Sequence, residues 1–340
     1  MEAMMIPARD LKRLGRYHQE DDTCTLGFSM SGVKLRAACT EVSVEISCEY
    51  GEHSPWMGVL VDGGPVGRFP LQQGTHWYAA LAGMDAAFPH EIAIVRDSQP
   101  VPEDAHRQFI RIENVRVTGE MQPCGKPAMV IEFAGDSLTS GEGTVGPVSA
   151  LEWRMAYMSA MSTYAQMVCC ALGAEGRWIS QSGWGIHAAW DGDLTRCIPL
   201  IYEQTCATDA SGKQAYDFAA HPADWVIINL GTNDGAPLSR LKGRARAAYR
   251  QAFYQDALAF LRQIRRLNPS AHILWVYGMC GRPLEKEIQQ AIAEANDSKT
   301  HYLRVPQCRG DEIGSRQHPG QASHRKVAQA IVKRINAHSM

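Results

Sequence analysis

Four short segments of this chain carry residues whose types suit acyl transfer: a serine, a glycine, an asparagine and a histidine. Ser137 lies in Gly135-Asp136-Ser137-Leu138, directly after the apolar run Val130-Ile131-Glu132-Phe133-Ala134. A serine at the end of a buried strand can serve as a nucleophile, because loops at the carboxyl ends of parallel strands bind ligands. Taken alone, it reads rather as a helix N-cap after a βα turn. The other segments are Ser180-Gln181-Ser182-Gly183-Trp184-Gly185, Leu230-Gly231-Thr232-Asn233-Asp234 and Gln317-His318-Pro319-Gly320. If they converge, Ser137 can attack a carbonyl while His318 takes its proton and returns it to the leaving alcohol. The tetrahedral oxyanion then needs preorganised donors. The N–H groups of Ser137 and Gly183 and the Asn233 side-chain amide supply three. Gly183 lets a backbone N–H approach substrate with no side chain in the way.

Each of these residues has a plainer role to set beside the chemical one. His324 rivals His318 as base, but it sits where the last helix begins, whereas Pro319 follows His318. Asn233-Asp234-Gly235 is also a turn-forming sequence. Asp136 and Asp234 are expected to hold loops and helix starts. Trp184 and Trp190 suit stacking on a flat substrate face or burial in the core. The basic run Arg262 to Arg266 is a solvated helix face.

The elements that must position these residues follow from hydrophobic periodicity. From about residue 10 to 120 the chain reads as all-β. Glu41 to Tyr50 alternates polar and apolar, Val59 to Val66 is a strand entering a tight turn, and Glu91–Arg96 and Phe109–Ile112 are further strands. Met121 to Pro127 is a Pro- and Gly-containing linker. Strand and helix then alternate. Strands are expected at Arg177–Ser180, Trp225–Leu230, Ile273–Tyr277 and Tyr302–Val305. Helices are expected over Met155–Leu172, ending at Gly173, and along the Tyr249, Phe253, Ala257, Phe260, Leu261, Ile264, Leu267 face, stopped by Asn268-Pro269. A further helix carries Leu284, Ile288 and Ile292, and the last runs from His324 to His338. This alternation implies an α/β domain over residues 127–340 with a parallel sheet covered on both faces, preceded by an all-β jelly-roll sandwich over residues 1–122.

Composition bounds the function. A length of 340 residues favours two domains, and 45% hydrophobic with 21% charged residues is ordinary for a globular enzyme. A formal net charge of −2 gives no electrostatic case for nucleic acid or an anionic membrane. No run approaches the length of a membrane-spanning helix. The start, Met1-Glu2-Ala3-Met4-Met5-Ile6-Pro7, lacks the pattern of a signal peptide and reads as cytoplasmic. The ten cysteines contain no Cys-x-x-Cys pair and read as reduced, structural residues.

The four segments together resemble the GDSL, or SGNH, hydrolase family. Gly135-Asp136-Ser137-Leu138 is similar to its first motif, Gly183 to its glycine, Gly231-Thr232-Asn233-Asp234 to its asparagine motif and His318-Pro319 to its histidine motif, all in family order. An all-β domain in front resembles carbohydrate esterase family 2, as do Tyr216-Asp217-Phe218, Ser182-Gly183-Trp184-Gly185 and Trp275-Val276-Tyr277-Gly278-Met279. The resemblance implies a three-layer, flavodoxin-like catalytic domain. It also implies removal of O-acetyl groups from plant polysaccharides or oligosaccharides such as xylan or mannan, without metal or organic cofactor. An esterase or thioesterase for another acyl group, such as a lipid, is the alternative, and a non-catalytic carbohydrate-binding protein a third reading. One departure stands out. Most members carry an aspartate two or three residues before the histidine; here those positions are Arg316 and Ser315. The resemblance therefore implies a Ser137–His318 dyad, with a backbone carbonyl orienting the imidazole. Asp311 or Glu312 looping back as a third member is the alternative. The Arg316 head group is expected to point away from an ionising histidine.

Overall fold

The computed structural model describes residues 3–20, 23–104, 106–208 and 213–338. Five strands after the linker form one parallel sheet, in the spatial order Ala174–Ser180, Met129–Gly135, Trp225–Asn229, His272–Tyr277, Thr300–Arg304. The first two strands of this domain in chain order are thus exchanged in space. The order of a flavodoxin-like sheet results, with its switch point between Met129–Gly135 and Trp225–Asn229, where ligands of such sheets bind.

Alternation along the strands decides which layer each residue joins. Ile131, Phe133, Ile227, Leu274 and Val276 face the Tyr164–Leu172 and Gln321–Asn336 helices, where Val168, Val327, Ile331 and Ile335 meet them. Ala134, Val226, Ile228, Ile273 and Trp275 face the other way, onto Phe253, Ala257, Phe260, Leu261 and Ile288 of the Gly243–Leu267 and Glu285–Ala295 helices. Period-2 strands sandwiched by period-3.6 helices leave almost nothing of the sheet wet. Among the described residues, no helix is long and apolar enough to cross a membrane, and all ten cysteines are unpaired.

One expected helix is shorter than its pattern. Regular α-helix runs only over Tyr164–Leu172, capped by Gly173, while Met155–Tyr157 and Ala160–Ser162 form single 3-10 turns. The carbonyls of Ala156 and Met158 are taken by the Arg68 guanidinium at 2.8 and 2.5 Å. Ser159 N–H donates to Gly141 O at 3.0 Å. Partners elsewhere in the molecule outcompete the local helix.

The N-terminal part is a curled, ten-stranded antiparallel sheet of jelly-roll type. Its spine is Gly32–Glu49, whose alternating burial puts Val42, Val44 and Ile46 inside. That strand pairs with Phe109–Gln122, Gly74–Ala82 and His90–Arg96. The expected strands at 91–96 and 109–112 lie within longer observed ones, 41–50 does so as far as Glu49, and 59–66 comprises the end of Trp56–Val61, a turn and the start of Gly64–Pro70. Gly74–Ala82 and the short strands before residue 27 are additions, brief or mixed in polarity and weakly patterned.

The two parts share one continuous core. Met30, Leu60 and Val95 of the sandwich pack in the same apolar cluster as Phe133, Tyr164 and Trp178. Arg16, fully buried, donates from Nη2 to Glu132 Oε1 at 3.2 Å and from Nη1 to Gln204 O at 3.0 Å and to Tyr202 O. The other oxygen of Glu132 accepts from Tyr202 Oη at 2.7 Å. Arg68 donates to Asp97 Oδ2 at 3.0 Å, and Asp97 Oδ1 accepts from Ser159 Oγ and Met161 N–H, each at 3.0 Å. Gln99, just beyond the His90–Arg96 strand, accepts from Ser182 N–H at 2.7 Å.

Candidate active site

The Met129–Gly135 strand delivers Ser137 to the switch point. Asp136 caps the short Ser137–Ser140 helix through its Oδ1, which accepts from Leu138 N–H at 3.0 Å. The capping role open to Ser137 thus falls to its neighbour. The Ser137 hydroxyl is left for another partner, and the residue keeps 6% exposure.

That partner is His318. Its Nε2 lies 3.0 Å from Ser137 Oγ, and its Nδ1 lies 3.0 Å from the carbonyl oxygen of Arg316. The Nδ1 position carries the hydrogen when it donates to that carbonyl, leaving the Nε2 lone pair for the serine proton. The loop is held tightly. Gly314 N–H donates to His318 O at 2.7 Å, His318 N–H to Ser315 O at 3.1 Å and Gly320 N–H to Glu312 O at 2.7 Å. Arg316 and Gln317 both adopt left-handed backbone, with φ of 54° and 59°. This sharp reversal aims the Arg316 carbonyl back at the ring two residues on. Strained backbone of this kind is concentrated at functional sites.

The alternative third members are elsewhere. The Glu312 carboxylate pairs with Lys326, and Asp311 is exposed. His324 is fully buried; its Nδ1 accepts from Tyr164 N–H at 3.1 Å and its ring stacks on Tyr164 at 6.0 Å. Burial pushes its pKa down to about 3, which keeps it a neutral core residue.

A carboxylate not anticipated from the sequence does reach the histidine. Glu142 Oε2 lies 3.8 Å from His318 Nε2, and its Oε1 accepts from Arg316 Nε at 2.7 Å. The Arg316 head group therefore does not point away; it grips a buried acid beside the ring. The signal in the sequence was Gly141-Glu142-Gly143, a lone charge between two glycines just after the nucleophile turn. Gly143 is a second residue that was overlooked. Its φ is +77°, and a Cβ there would lie 2.8 Å from His318 Cβ and 2.4 Å from Ser315 O.

The expected oxyanion donors lie on the loops around Ser137. Among the described residues, neither Ser137 N–H nor Gly183 N–H donates to a protein acceptor. Gly183 has φ +80°, and a Cβ on it would lie 2.9 Å from Trp190 Cδ1, so Trp190 covers this glycine. The Asn233 amide donates to Trp184 O at 2.8 Å and, at a longer 3.3 Å, to Asp136 Oδ2. One amide hydrogen ties two loops together and the other is weakly held. The Gly183 loop itself is fixed by buried Asp234, which accepts from the N–H groups of Ile186, His187 and Ala188 at 2.7 to 3.1 Å. Desolvation raises the pKa of Asp234 against those bonds. Burial likewise lifts Asp136 to about 7, opposed by the Leu138 N–H and helped by the charge of Asp234. Both acids are structural, as expected.

The two tryptophans part company. Trp184 is 8% exposed and belongs to the core, contributing only its carbonyl. Trp190 is 51% exposed and stands at the rim.

A positioned hydroxyl, an imidazole held between it and a backbone carbonyl, and unengaged N–H groups suit covalent acyl transfer. Comparison with known proteins points the same way. Residues 133–326 match the family described as GDSL-like Lipase/Acylhydrolase. The chain is 27% identical over 319 residues to the cellulase/esterase CelE of Acetivibrio thermocellus, covering 91% of this chain but only 37% of that much longer protein. It is 23% identical over 332 residues to an acetylxylan esterase / glucomannan deacetylase of Cellvibrio japonicus, covering 95% of this chain and 87% of that one. In three dimensions it is similar to the acetyl xylan esterase Est2A of Butyrivibrio proteoclasticus, with a TM-score of 0.93, 26% identity and 99% of both chains covered.

Proposed function

The chain belongs to the GDSL-like lipase/acylhydrolase family, and from that premise we propose that it is a serine esterase removing O-acetyl groups from carbohydrate. The observation that carries the reading is the Ser137 Oγ to His318 Nε2 contact of 3.0 Å, with the Arg316 carbonyl on the far ring nitrogen. The names of the relatives support acetylated polysaccharide, xylan or mannan, as the substrate class.

In this reading Ser137 Oγ bonds to the ester carbonyl carbon while its proton moves to His318 Nε2 and the carbonyl electron pair moves onto oxygen. The N–H groups of Ser137 and Gly183 and the Asn233 amide receive that oxyanion. The tetrahedral intermediate collapses as the C–O bond to the sugar breaks and the Nε2 proton passes to the sugar oxygen. Water, deprotonated by His318, then attacks the acetyl-enzyme; the bond to Ser137 Oγ breaks, the Nε2 proton returns to Oγ and acetate leaves. Trp190, exposed beside Gly183, offers a face on which a sugar ring can stack.

Release of acetate from acetylated xylan, acetylated mannan and simple acetylated sugars tests the proposal directly. Wild-type protein is expected to release acetate, and Ser137→Ala to lose turnover of 4-nitrophenyl acetate by at least about 10³-fold. Unchanged turnover in Ser137→Ala rejects the nucleophile. Octanoyl esters turned over as well as acetyl esters reject the acetyl assignment.

A further inference from the structure

Acyl transfer turns His318 into an imidazolium, and among the described residues its Nδ1 faces the Arg316 carbonyl and no carboxylate. A backbone carbonyl there fixes the tautomer but bears only a partial charge. We propose that Glu142 is a positioning residue that stabilises the protonated His318 from the Nε2 side, and that Arg316 holds it there. The proposal rests on the esterase reading above.

Three observations carry it. The Glu142 side chain is only 7% exposed, and a carboxylate so placed must be compensated. Its Oε1 is bound by Arg316 Nε at 2.7 Å, and its Oε2 stands 3.8 Å from the nitrogen that receives the serine proton. That distance is too long for a hydrogen bond but short for a charge interaction away from bulk water. Finally, the charge is rigidly placed. Glu142 N–H donates to Ser137 O at 3.0 Å, so the acid and the nucleophile ride on one turn. On the other side, Arg316 N–H donates to Ala150 O at 2.8 Å and Ser315 N–H to Gly143 O at 3.0 Å. Arg316 thus presents its carbonyl to one ring nitrogen while its side chain fixes a carboxylate near the other.

The remaining ionisable groups around His318 do not take this role. Asp136, on the nucleophile turn, is engaged by Leu138 N–H and the Asn233 amide. His324, on the following helix, is buried and bonded to Tyr164 N–H. The Arg316 guanidinium is turned onto Glu142 itself. Glu142 neither gains nor loses a proton in the cycle. The proton moves from Ser137 Oγ to Nε2 and on to the leaving oxygen, and the fixed negative charge favours the state in between.

The test is the pH profile of kcat/KM on 4-nitrophenyl acetate for wild type, Glu142→Gln and Glu142→Asp. Glutamine keeps an oxygen for Arg316 Nε and removes only the charge, and the one-third-exposed Arg316 side chain can turn to water. Glu142→Gln is expected to move the acid limb to lower pH by about one unit, because a neutral neighbour no longer favours the protonated ring. Its kcat is expected to fall by about tenfold with KM changed less than about twofold. Glu142→Asp, with the charge withdrawn by one methylene, is expected to shift the limb in the same direction by less, and carries the test should the glutamine variant not fold. An acid limb identical to wild type in whichever variant folds overturns the proposal, whatever the change in kcat. Failure of the esterase reading has a different signature: a wild type without turnover, or a Ser137→Ala variant as active as wild type.

Discussion

At the scale of single residues, the site depends on which side chains are left free. Asp136 takes the helix cap, so Ser137 Oγ is free for His318; Asp234 takes three loop N–H groups, so the Gly183 N–H is free for substrate. Asn233 has divided duties, with a short bond to Trp184 O and a long one to Asp136. Asn233→Ala is accordingly expected to lower kcat by about 10²- to 10³-fold, measured on 4-nitrophenyl acetate, with KM much less affected. A loss confined to KM would assign the amide to loop support alone. Ser137, Gly183, Asn233 and His318 were legible in the sequence because their chemistry requires particular residue types near strand ends. The partner on His318 Nδ1 was legible only as a gap, the missing acid at Arg316, since any residue supplies a carbonyl. Glu142 carries only a weak mark in the sequence, a lone charge between Gly141 and Gly143 among 36 acidic residues, and only the fold brings it to the ring.

At the scale of elements, strands and long helices followed their hydrophobic periods, because burial on two faces leaves little freedom. The first part of the helix expected over Met155–Leu172, residues 155–163, did not. Its apolar Met155, Met158 and Met161 suggest a helix, yet its carbonyls and N–H groups are drawn to Arg68, Gly141 and Asp97. Periodicity reports burial and cannot show which backbone groups find better partners outside the segment. Upstream of it, Gly143 lies against the histidine loop. Gly143→Ala would add a Cβ within 2.8 Å of His318 Cβ in a left-handed backbone. A displacement of about 1 Å between base and nucleophile is expected to cost about 10²-fold in kcat. Circular dichroism checks that the fold persists, and kcat near wild type would show that the two loops separate without harm.

At the scale of the whole molecule, the sandwich reaches the active site instead of merely preceding it. Arg16 and Glu132 form a fully buried ion pair across the boundary. Arg16→Met takes its closest cation from the buried Glu132 carboxylate, leaving the Tyr202 hydroxyl at 2.7 Å and Arg177 at 3.9 Å. A loss of about 3 kcal/mol or more is expected, read from urea denaturation, with partial recovery in Arg16→Met/Glu132→Leu. A midpoint unmoved by Arg16→Met would mean that the boundary contributes little to stability. None of this was legible beforehand, since contacts more than a hundred residues apart leave no local pattern. The short segment from Asp97 to Gln99 has a practical consequence. It fastens Ser159 and Met161 on one side and Ser182, the neighbour of Gly183, on the other, so two segments of the catalytic domain hang from the first 100 residues of the polypeptide. On warming, turnover should therefore fade when the sandwich loosens, even while the parallel sheet is intact, and the thermal ceiling of the catalyst would be set by the half that contains neither nucleophile nor base.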